Sequence, residues 1–377
     1  MDLLVDGNAI LNVVTNVVVY TLRNDSNFDL SYIMTGDKMI LKDSSKRYFR
    51  NFILKYLTSV ITPLRHVLKN VYLTFDSTSW RKYYVNKYFE RHVEIPGFTY
   101  KGHRKTDDHK RELFMFFDYF HDEILPELTV LPGIHTLKIK GTEGDDIIAV
   151  LAGLLECDKV IWTVDSDLNQ LVRNDANFTV ILGPKNRNNK LRRLVLPVGY
   201  DKPKGLLDFS VDNYGISQFA KYLVAEKEYE ATVIEVNDFT LRKIVMGDAK
   251  SDNIPSIYVK ASKSGRRMSI TDRMADRIFA EVEKEYERGR WVELTDARDT
   301  NFISKVIAAT AEVVGAKESE MAEMTDNFEL NCRLIRLSPH MIPPEMVGMI
   351  EYKYSQLDFT KKFDYQLYLD YAYVNEP

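Results

Sequence analysis

The chain has 377 residues, of which 45% are hydrophobic, 12% aromatic and 28% charged. Such a composition is typical of a globular protein with a real core, and the length suggests about two domains. The 51 Lys and Arg against 55 Asp and Glu give a net charge of −4, so any surface that binds nucleic acid must be local. Two cysteines exclude a disulfide framework and a zinc cluster. An acidic start and short apolar runs predict a cytoplasmic protein with no membrane partner.

Apolar runs and helical periodicity predict strands that alternate with helices. The predicted strands are residues 3–5, 71–75, 135–139 and 159–164. The predicted helices are 9–22, 44–69, a segment ending near 127, 143–156, 302–315 and 344–357. This alternation predicts an α/β fold with a central, mostly parallel sheet flanked by helices.

Acidic residues follow three of the predicted strands. Asp6, Asp76 and Asp165 each come at or just after a carboxyl end, where ligands of open α/β sheets bind. One such Asp is more often a turn or cap residue, but three at equivalent ends favour a site.

The helix that begins in "KGTEGDDIIAV" adds three acids. Glu143, Asp145 and Asp146 suit either a helix N-terminus or a cation site. Further acids occur in "TVDSDLNQLV" and "MGDAKSDNIPSI"; they are Asp167, Asp248 and Asp252. Together these carboxylates cannot all be ionised in one cleft without divalent cations. Oxygen ligands without His or Cys favour Mg²⁺ or Mn²⁺, and two such ions catalyse in-line displacement at phosphorus.

The motifs VDGN, FDS, YKGHR, EGDD, VDSD and GD…DNIP occur in this order over residues 1–255. This series resembles the 5′-nuclease superfamily of flap endonucleases and phage 5′-exonucleases, and most of all the ribonuclease H group of T-even phages. The resemblance implies an α/β nuclease core at 1–205 with a basic arch at 79–125. It also implies a helical region at 206–377 with a helix–hairpin–helix-like segment at 238–290.

The resemblance also implies residue roles. The first of two Mg²⁺ ions, which Mn²⁺ can replace, would be held by Asp6, Asp76, Asp146 and Asp165. Glu143 and Asp145 would bind it directly or through water. The second ion would be held or positioned by Asp167, Asp248 and Asp252. Lys101 and Arg104 in the arch would contact the scissile phosphate. Two departures stand out: Asp248 and Asp252 are four residues apart where three is usual, and the following segment lacks the family's glycines.

Basic segments are usually solvated faces, but those mixed with aromatic residues suit single-stranded nucleic acid. Residues 81–111 favour such a channel, whereas residues 184–204 suit duplex contact or a solvated hairpin equally. The predicted nucleic-acid contacts are Arg81, Lys82, Lys101, Arg104, Lys105, Lys260, Lys263, Arg266 and Arg267.

The implied activity is 5′–3′ hydrolysis of RNA–DNA hybrids and of DNA duplexes or flaps, with removal of RNA primers during phage DNA replication. The implied partners of this monomer are DNA, RNA–DNA hybrids, a single-stranded-DNA-binding protein and a sliding clamp. A ribonuclease of the PIN or NYN type also fits DGN after the first strand, but it lacks the YKGHR and GD…DNIP elements. A binding protein without catalysis is the third alternative, although dense negative charge disfavours binding to phosphates. The role of the aromatic, acidic C-terminal tail stays open.

Overall fold

The computed structural model describes residues 1–24, 32–35, 38–92, 94–95, 98–102, 108–175, 177–185, 192–198, 229–261 and 267–373. Its centre is a seven-stranded sheet with the strand order β5-β4-β1-β6-β7-β8-β9. These strands are β1 Asp2–Asp6, β4 Asn70–Phe75, β5 Ile134–Lys138, β6 Lys159–Trp162, β7 Thr179–Lys185, β8 Arg192–Pro197 and β9 Tyr229–Ile234. Two small hairpins pair β2 Tyr32–Thr35 with β3 Lys38–Leu41, and β10 Lys260–Ala261 with β11 Arg267–Met268.

The α-helices include α1 Gly7–Asn24, α2 Asp43–Ile61, α3 Trp80–Phe89, α4 Asp108–Tyr119, α5 Leu125–Thr129 and α6 Gly144–Leu154. They continue with α7 Val236–Met246, α8 Asp272–Val282, α9 Trp291–Asp296, α10 Thr300–Val314, α11 Met321–Ile335, α12 Pro344–Ser355 and α13 Tyr365–Tyr373. A π-helical turn, Phe120–Ile124, joins α4 to α5.

The sheet is mostly parallel: β1 pairs in parallel with β4 and β6, and only the β7–β8 pair is antiparallel among its described strands. Alternate residues of β1 point to opposite faces. Leu3 and Val5 join the core under α1, α2 and α4, whereas Leu4 joins the core under α6. Both faces are therefore buried, as parallel sheets require, and the predicted fold class is confirmed.

A third core joins helices α7 to α11 with residues from α3 and from the stretch that follows it, such as Val85, Phe98 and Tyr100. The last two helices return to the sheet. Ile350 of α12 packs in the core that contains α6, and Tyr368 of α13 donates from its hydroxyl to the Leu54 carbonyl of α2 at 3.3 Å. The C-terminal aromatic segment therefore packs on the α/β core, and β9, inside the predicted helical region, belongs to the sheet. The two-domain division stays a prediction.

Within the described ranges, no helix combines the length and the apolar character needed to cross a membrane.

Candidate functional site

The three strand-end acids lie at one edge of the sheet, as predicted. Asp6 is the last residue of β1, Asp76 directly follows β4, and Asp165 lies just beyond β6. Since β1 pairs in parallel with both neighbours, all three carboxyl groups emerge at the same side. Gly7 allows α1 to begin at once, because a Cβ there would lie 2.3 Å from the ring of Phe75.

Thr163 connects two of these acids. Its hydroxyl donates to Asp6 Oδ2 at 2.8 Å and accepts the backbone N–H of Asp165 at 2.9 Å. The other Asp6 oxygen accepts the N–H of Ala9 at 2.9 Å, so Asp6 also caps α1. Burial raises the pKa of Asp6 to about 7, these hydrogen bonds oppose the rise, and the charges of Asp76 and Asp165 add to it.

Asp145, in the first turn of α6, is the fourth member of this group. Burial raises the pKa of Asp145 well above its usual value. Repulsion acts in the same direction and comes from Asp165, Asp6, Asp76 and Glu143, in that order. Asp76 holds the start of α6 in place, because its Oδ1 accepts the N–H of Gly144 at 2.7 Å. We call Asp6, Asp76, Asp145 and Asp165 the acid cluster.

A second group, which we call the lysine bridge, joins Asp167 and Asp248 through Lys243 of α7. The Lys243 ammonium pairs with Asp167 and donates to Asp248 Oδ2 at 3.0 Å. Burial raises the pKa of Asp167 to about 6 with help from Asp165, although Lys243 opposes the rise. Burial also acts to raise the pKa of Asp248, but the Ser251 N–H and Lys243 outweigh it and lower that pKa.

A third group, the Arg81 cluster, consists of Arg81, Glu143 and Asp146. Arg81 is 1% exposed and lies between the two carboxylates, 3.2 Å from Glu143 Oε2 and 2.8 Å from Asp146 Oδ1. Asp146 Oδ2 also accepts the indole N–H of Trp80 at 3.0 Å and the backbone N–H of Glu143 at 3.0 Å. Burial alone would lower the pKa of Arg81, but the charge of Asp146 and other neighbours raise it well above its usual value.

The base of the predicted arch contacts the same region. The Lys101 ammonium lies 2.7 Å from Glu143 Oε1 and 3.7 Å from Asp252 Oδ2, and the Tyr100 hydroxyl donates to both carboxylates at 3.2 Å. Burial acts to raise the pKa of Glu143, but Arg81 and Lys101 lower it to about 2. Lys101 and Asn253 both adopt left-handed backbone conformations, with φ of 55° and 62°. Such conformations often occur where a fold fixes functional groups.

These contacts bear on three of the sequence predictions. Asp146 is predicted to bind the first metal ion, but its carboxylate is buried against Arg81 and caps its own helix. Asp145, also a predicted metal residue, is the one that interacts with Asp165, Asp6 and Asp76. Asp252 was assigned to the second metal, but its carboxylate contacts Tyr100 and Lys101. Arg81 is predicted to bind nucleic acid, but its guanidinium is buried by its ion pairs in this structure, so that contact stays a prediction.

The other predicted nucleic-acid contacts have mixed outcomes. Lys82 of α3 and Lys260 of β10 are exposed, as such contacts require, and they stay predictions. Four residues lie outside the described residues; they are Arg104, Lys105, Lys263 and Arg266. Arg267 is described in its strand, without a description of its side chain.

β8 supplies a cation that the sequence prediction missed. Arg193 donates from Nη2 to Asn169 Oδ1 and lies close enough to Asp165 to interact electrostatically. Burial lowers the pKa of Arg193, and the charge of Asp165 opposes this. Gly183 of β7 leaves room for it, because a Cβ there would lie 3.1 Å from both the Arg193 Cβ and the Thr163 carbonyl oxygen.

The donor chemistry of the acid cluster fits a hard divalent cation. Carboxylate oxygens are the ligands that Mg²⁺ and Mn²⁺ prefer, and a cation would relieve the repulsion that raises the pKa of Asp145. In the part of the chain that the structure describes, no group of three or more His, Cys, Asp or Glu side chains is already arranged to hold a metal ion. The acid cluster therefore matches a divalent cation in ligand type and in charge, but its carboxylates are not yet arranged as a coordination shell.

No family model matches the chain, and no curated protein matches it. Solved structures of bacteriophage T5 proteins are similar to it at low identity. The T5 D15 protein, co-crystallised with metal ions, is 12% identical with a TM-score of 0.46, and the match covers 96% of this chain and 99% of that one. The T5 D15 flap endonuclease, in a pseudo-enzyme–product complex with DNA and metal ions, is 14% identical with a TM-score of 0.39 over 88% of this chain and 98% of that one. T5 5′-exonuclease with zinc bound has the same identity and TM-score, over 88% of this chain and 100% of that one. Values this low do not assign a family, so the function has to follow from the residues themselves.

Proposed function

We propose that the chain is a divalent-metal-dependent 5′-nuclease that hydrolyses phosphodiester bonds. The observation that carries the proposal is the acid cluster, in which three carboxylates end neighbouring strands and repel a fourth, Asp145. Mutual repulsion destabilises a fold, so such an arrangement suits the binding of cations better than a purely structural role. The ordered motifs from VDGN to DNIP support the 5′-nuclease superfamily as the family.

The acid cluster would hold one of two Mg²⁺ ions, which Mn²⁺ can replace, and Asp167 and Asp248 would hold the other. Ions of this kind, when bound, activate water and stabilise the leaving oxygen in displacement at phosphorus. Lys243 already neutralises part of the charge of Asp167 and Asp248. Its ammonium would have to move aside for a second ion, and it would then be free to contact a phosphate.

The remaining charged groups would position the substrate. Lys101 pairs with Glu143, and we propose that this ammonium exchanges its carboxylate partner for the scissile phosphate when nucleic acid enters. Arg104 would assist it. The Arg81 cluster has a different role. By fixing Glu143 and Asp146 it holds the first turn of α6, and therefore holds Asp145 within the acid cluster.

We further propose that the substrates are RNA–DNA hybrids and DNA duplexes or flaps, and that the activity removes RNA primers during phage DNA replication. We also propose that the protein acts as a monomer in the host cytoplasm, together with a single-stranded-DNA-binding protein and a sliding clamp. Lys82 and Lys260, both exposed, would contact the duplex backbone.

The test is cleavage of a 5′-labelled RNA–DNA hybrid and a 5′-flap DNA in Mg²⁺, in Mn²⁺ and in EDTA. We expect short 5′ products with either ion and none in EDTA. The variant Asp165→Asn should lose roughly a hundredfold or more of the activity, whereas Asp122→Asn, an exposed Asp of the π-helical turn, should match the wild type. Duplex binding without any cleavage in either ion would refute the proposal and favour a binding protein.

A further inference from the structure

A small pocket lies outside the acid cluster, among α3, α10, α11 and the turn after α9. Its cavity volume is about 80 Å³, and its apolar floor includes Ile303, Phe328, Cys332 and Met341. This volume is enough for several water molecules. A single tetrahedral oxyanion fits such a space.

The polar walls of the pocket carry excess positive charge. Arg298 and Arg333 both line it, and the only acid among its lining residues is Glu329, which is exposed. Burial lowers the pKa of Arg333, and the nearby charge of Arg298 lowers it further. Two guanidinium groups that repel each other beside one carboxylate favour an anionic occupant.

The two arginines are held in different ways. Arg333 Nη1 donates to the Met341 carbonyl at 2.8 Å, which fixes the guanidinium at the pocket wall. Arg298 has a left-handed backbone, with φ of 54°, in the turn where its N–H donates to the Thr295 carbonyl at 3.1 Å. Among the described residues, the other non-glycine residues with positive φ are Lys101 and Asn253, both in the candidate site.

The pocket is coupled to the candidate site through α3 and the end of α11. Tyr84 lines the pocket one helical turn after Arg81, and its ring lies 5.9 Å from that of Trp80. Arg81 Nε donates at 3.0 Å to the carbonyl of Leu334, the residue after Arg333. A group bound in the pocket would therefore lie close to the Arg81 cluster and to the start of α6.

We propose that this pocket binds a phosphate group through Arg298, Arg333 and the Tyr84 hydroxyl. The guanidinium groups donate to the phosphate oxygens, and the apolar floor excludes water beneath them. The carboxylate of Glu329 at the edge disfavours a di- or triphosphate, so the site takes a single phosphate. A polynucleotide backbone as the source of that phosphate rests on the proposed nuclease function; free inorganic phosphate is the other source of the same chemistry.

The first test is calorimetric titration of the full chain with inorganic phosphate in EDTA, with chloride used to hold ionic strength constant. EDTA removes the cations through which phosphate could bind to the acid cluster, so phosphate is not expected to bind there. We expect saturable binding that Arg298→Gln and Arg333→Gln each weaken about tenfold. Arg47→Gln is the matched control, because Arg47 is an exposed arginine on α2, remote from the pocket.

The second test separates the two sources of phosphate. Binding of a 5′-flap duplex to the Asp165→Asn protein is measured against salt concentration in EDTA, with and without Arg298→Gln. The slope of the logarithm of the binding constant against the logarithm of salt concentration counts phosphate contacts. If Arg298→Gln lowers this slope by about one unit, the phosphate belongs to the polynucleotide. An unchanged slope with intact binding of inorganic phosphate would overturn the polynucleotide source and leave a free-phosphate site.

Absence of saturable phosphate binding in the wild type, or equal binding by Arg298→Gln and the wild type, would overturn the pocket proposal. The exposed Arg298 side chain makes this variant the safer one for folding, because Arg333 also bonds to the Met341 carbonyl. The result is independent of the nuclease proposal, because the calorimetric test uses neither metal nor cleavage.

Discussion

Replacement of Arg81 by Met should destabilise the protein strongly, because Arg81 is buried. The same replacement of an exposed arginine should have little effect. The Arg81 side chain is 2% exposed, and its partners Asp146 and Glu143 are 0% and 11% exposed. Its guanidinium makes contacts of 2.8 Å and 3.0 Å with Asp146, of 3.2 Å with Glu143 and of 3.0 Å with the Leu334 carbonyl. Arg81→Met keeps much of the apolar stem and removes every one of these bonds.

The expected loss is about 3–5 kcal/mol of unfolding free energy, which is typical when one partner of a buried ion pair is removed. Most of the loss arises from Asp146, because its charge stays buried while it keeps only neutral donors from Trp80 and the Glu143 backbone. Glu143 retains Lys101 at 2.7 Å and therefore contributes less. A protein with ~5–15 kcal/mol of total stability would lose a large share of it.

Urea unfolding followed by circular dichroism measures this change, with Arg47→Met as the exposed control. The double variant Arg81→Met with Asp146→Asn should recover part of the loss, since it removes the uncompensated charge. A loss below about 1 kcal/mol for Arg81→Met, a value typical of exposed ion pairs, would refute the buried-pair account. Equal losses in the single and double variants would refute the role of Asp146.

Three further predictions concern pH, packing and binding. The pKa of Glu143 is lowered to about 2, so its ionised form stabilises the fold fully above pH ~4.5, and this stabilisation is lost as the pH falls toward 2. In Glu143→Gln the free energy of unfolding should therefore fall by roughly 3 kcal/mol less between pH 6 and pH 2 than in the wild type. Urea unfolding at a series of pH values measures this difference. Gly183→Ala should destabilise the fold by ~1 kcal/mol in urea unfolding, because the new Cβ would crowd the Arg193 side chain and the Thr163 carbonyl oxygen. Gly153→Ala, with open space around it in α6, should be neutral or stabilising. Lys82→Ala and Lys260→Ala should each lower the salt slope of duplex binding by about one unit, and an unchanged slope would exclude that lysine as a phosphate contact.

The site edge of the sheet was predictable from the sequence because it depends on local patterns. Buried strands are short apolar runs, and the residue after each run must lie at the strand's carboxyl end. Asp6, Asp76 and Asp165 could therefore be placed together without knowledge of any long-range contact. The same reasoning predicts the helix after residue 143, since an apolar run follows a cluster of acids.

The direction of individual side chains was not predictable in this way. Asp145 and Asp146 are adjacent on α6, so they point about 100° apart, and the sequence does not say which one faces the sheet edge. The choice depends on Arg81 and Trp80, more than 60 positions earlier in the chain, which bury Asp146. The burial of Arg81 was also not predictable from its charge, because it depends on ion pairs with Glu143 and Asp146, more than 60 positions later in the chain.

Lys243 and Arg193 were missed because Asp167 and Asp165, the acids that bring them to the site, are distant in sequence. Lys243 is one lysine on an amphipathic helix, 76 residues from Asp167, and nothing local distinguishes it from an exposed one. Arg193 belongs to the basic segment at 184–204, where solvent exposure or duplex contact was the natural interpretation. The one local signal was Gly183 on the neighbouring strand β7, because a glycine inside a strand often marks a place where another side chain passes close to the backbone, as that of Arg193 does here.

The most direct test of the central claim compares Asp145→Asn with Asp146→Asn in Mg²⁺-dependent cleavage of a 5′-labelled flap DNA. The account predicts that Asp145→Asn abolishes cleavage while the fold in EDTA is as stable as the wild type or more so, because repulsion within the acid cluster is relieved. Asp146→Asn should instead lower stability through the Arg81 cluster. Wild-type cleavage by Asp145→Asn, or no cleavage by the wild type in Mg²⁺ or Mn²⁺, would contradict the claim that the acid cluster is the catalytic centre.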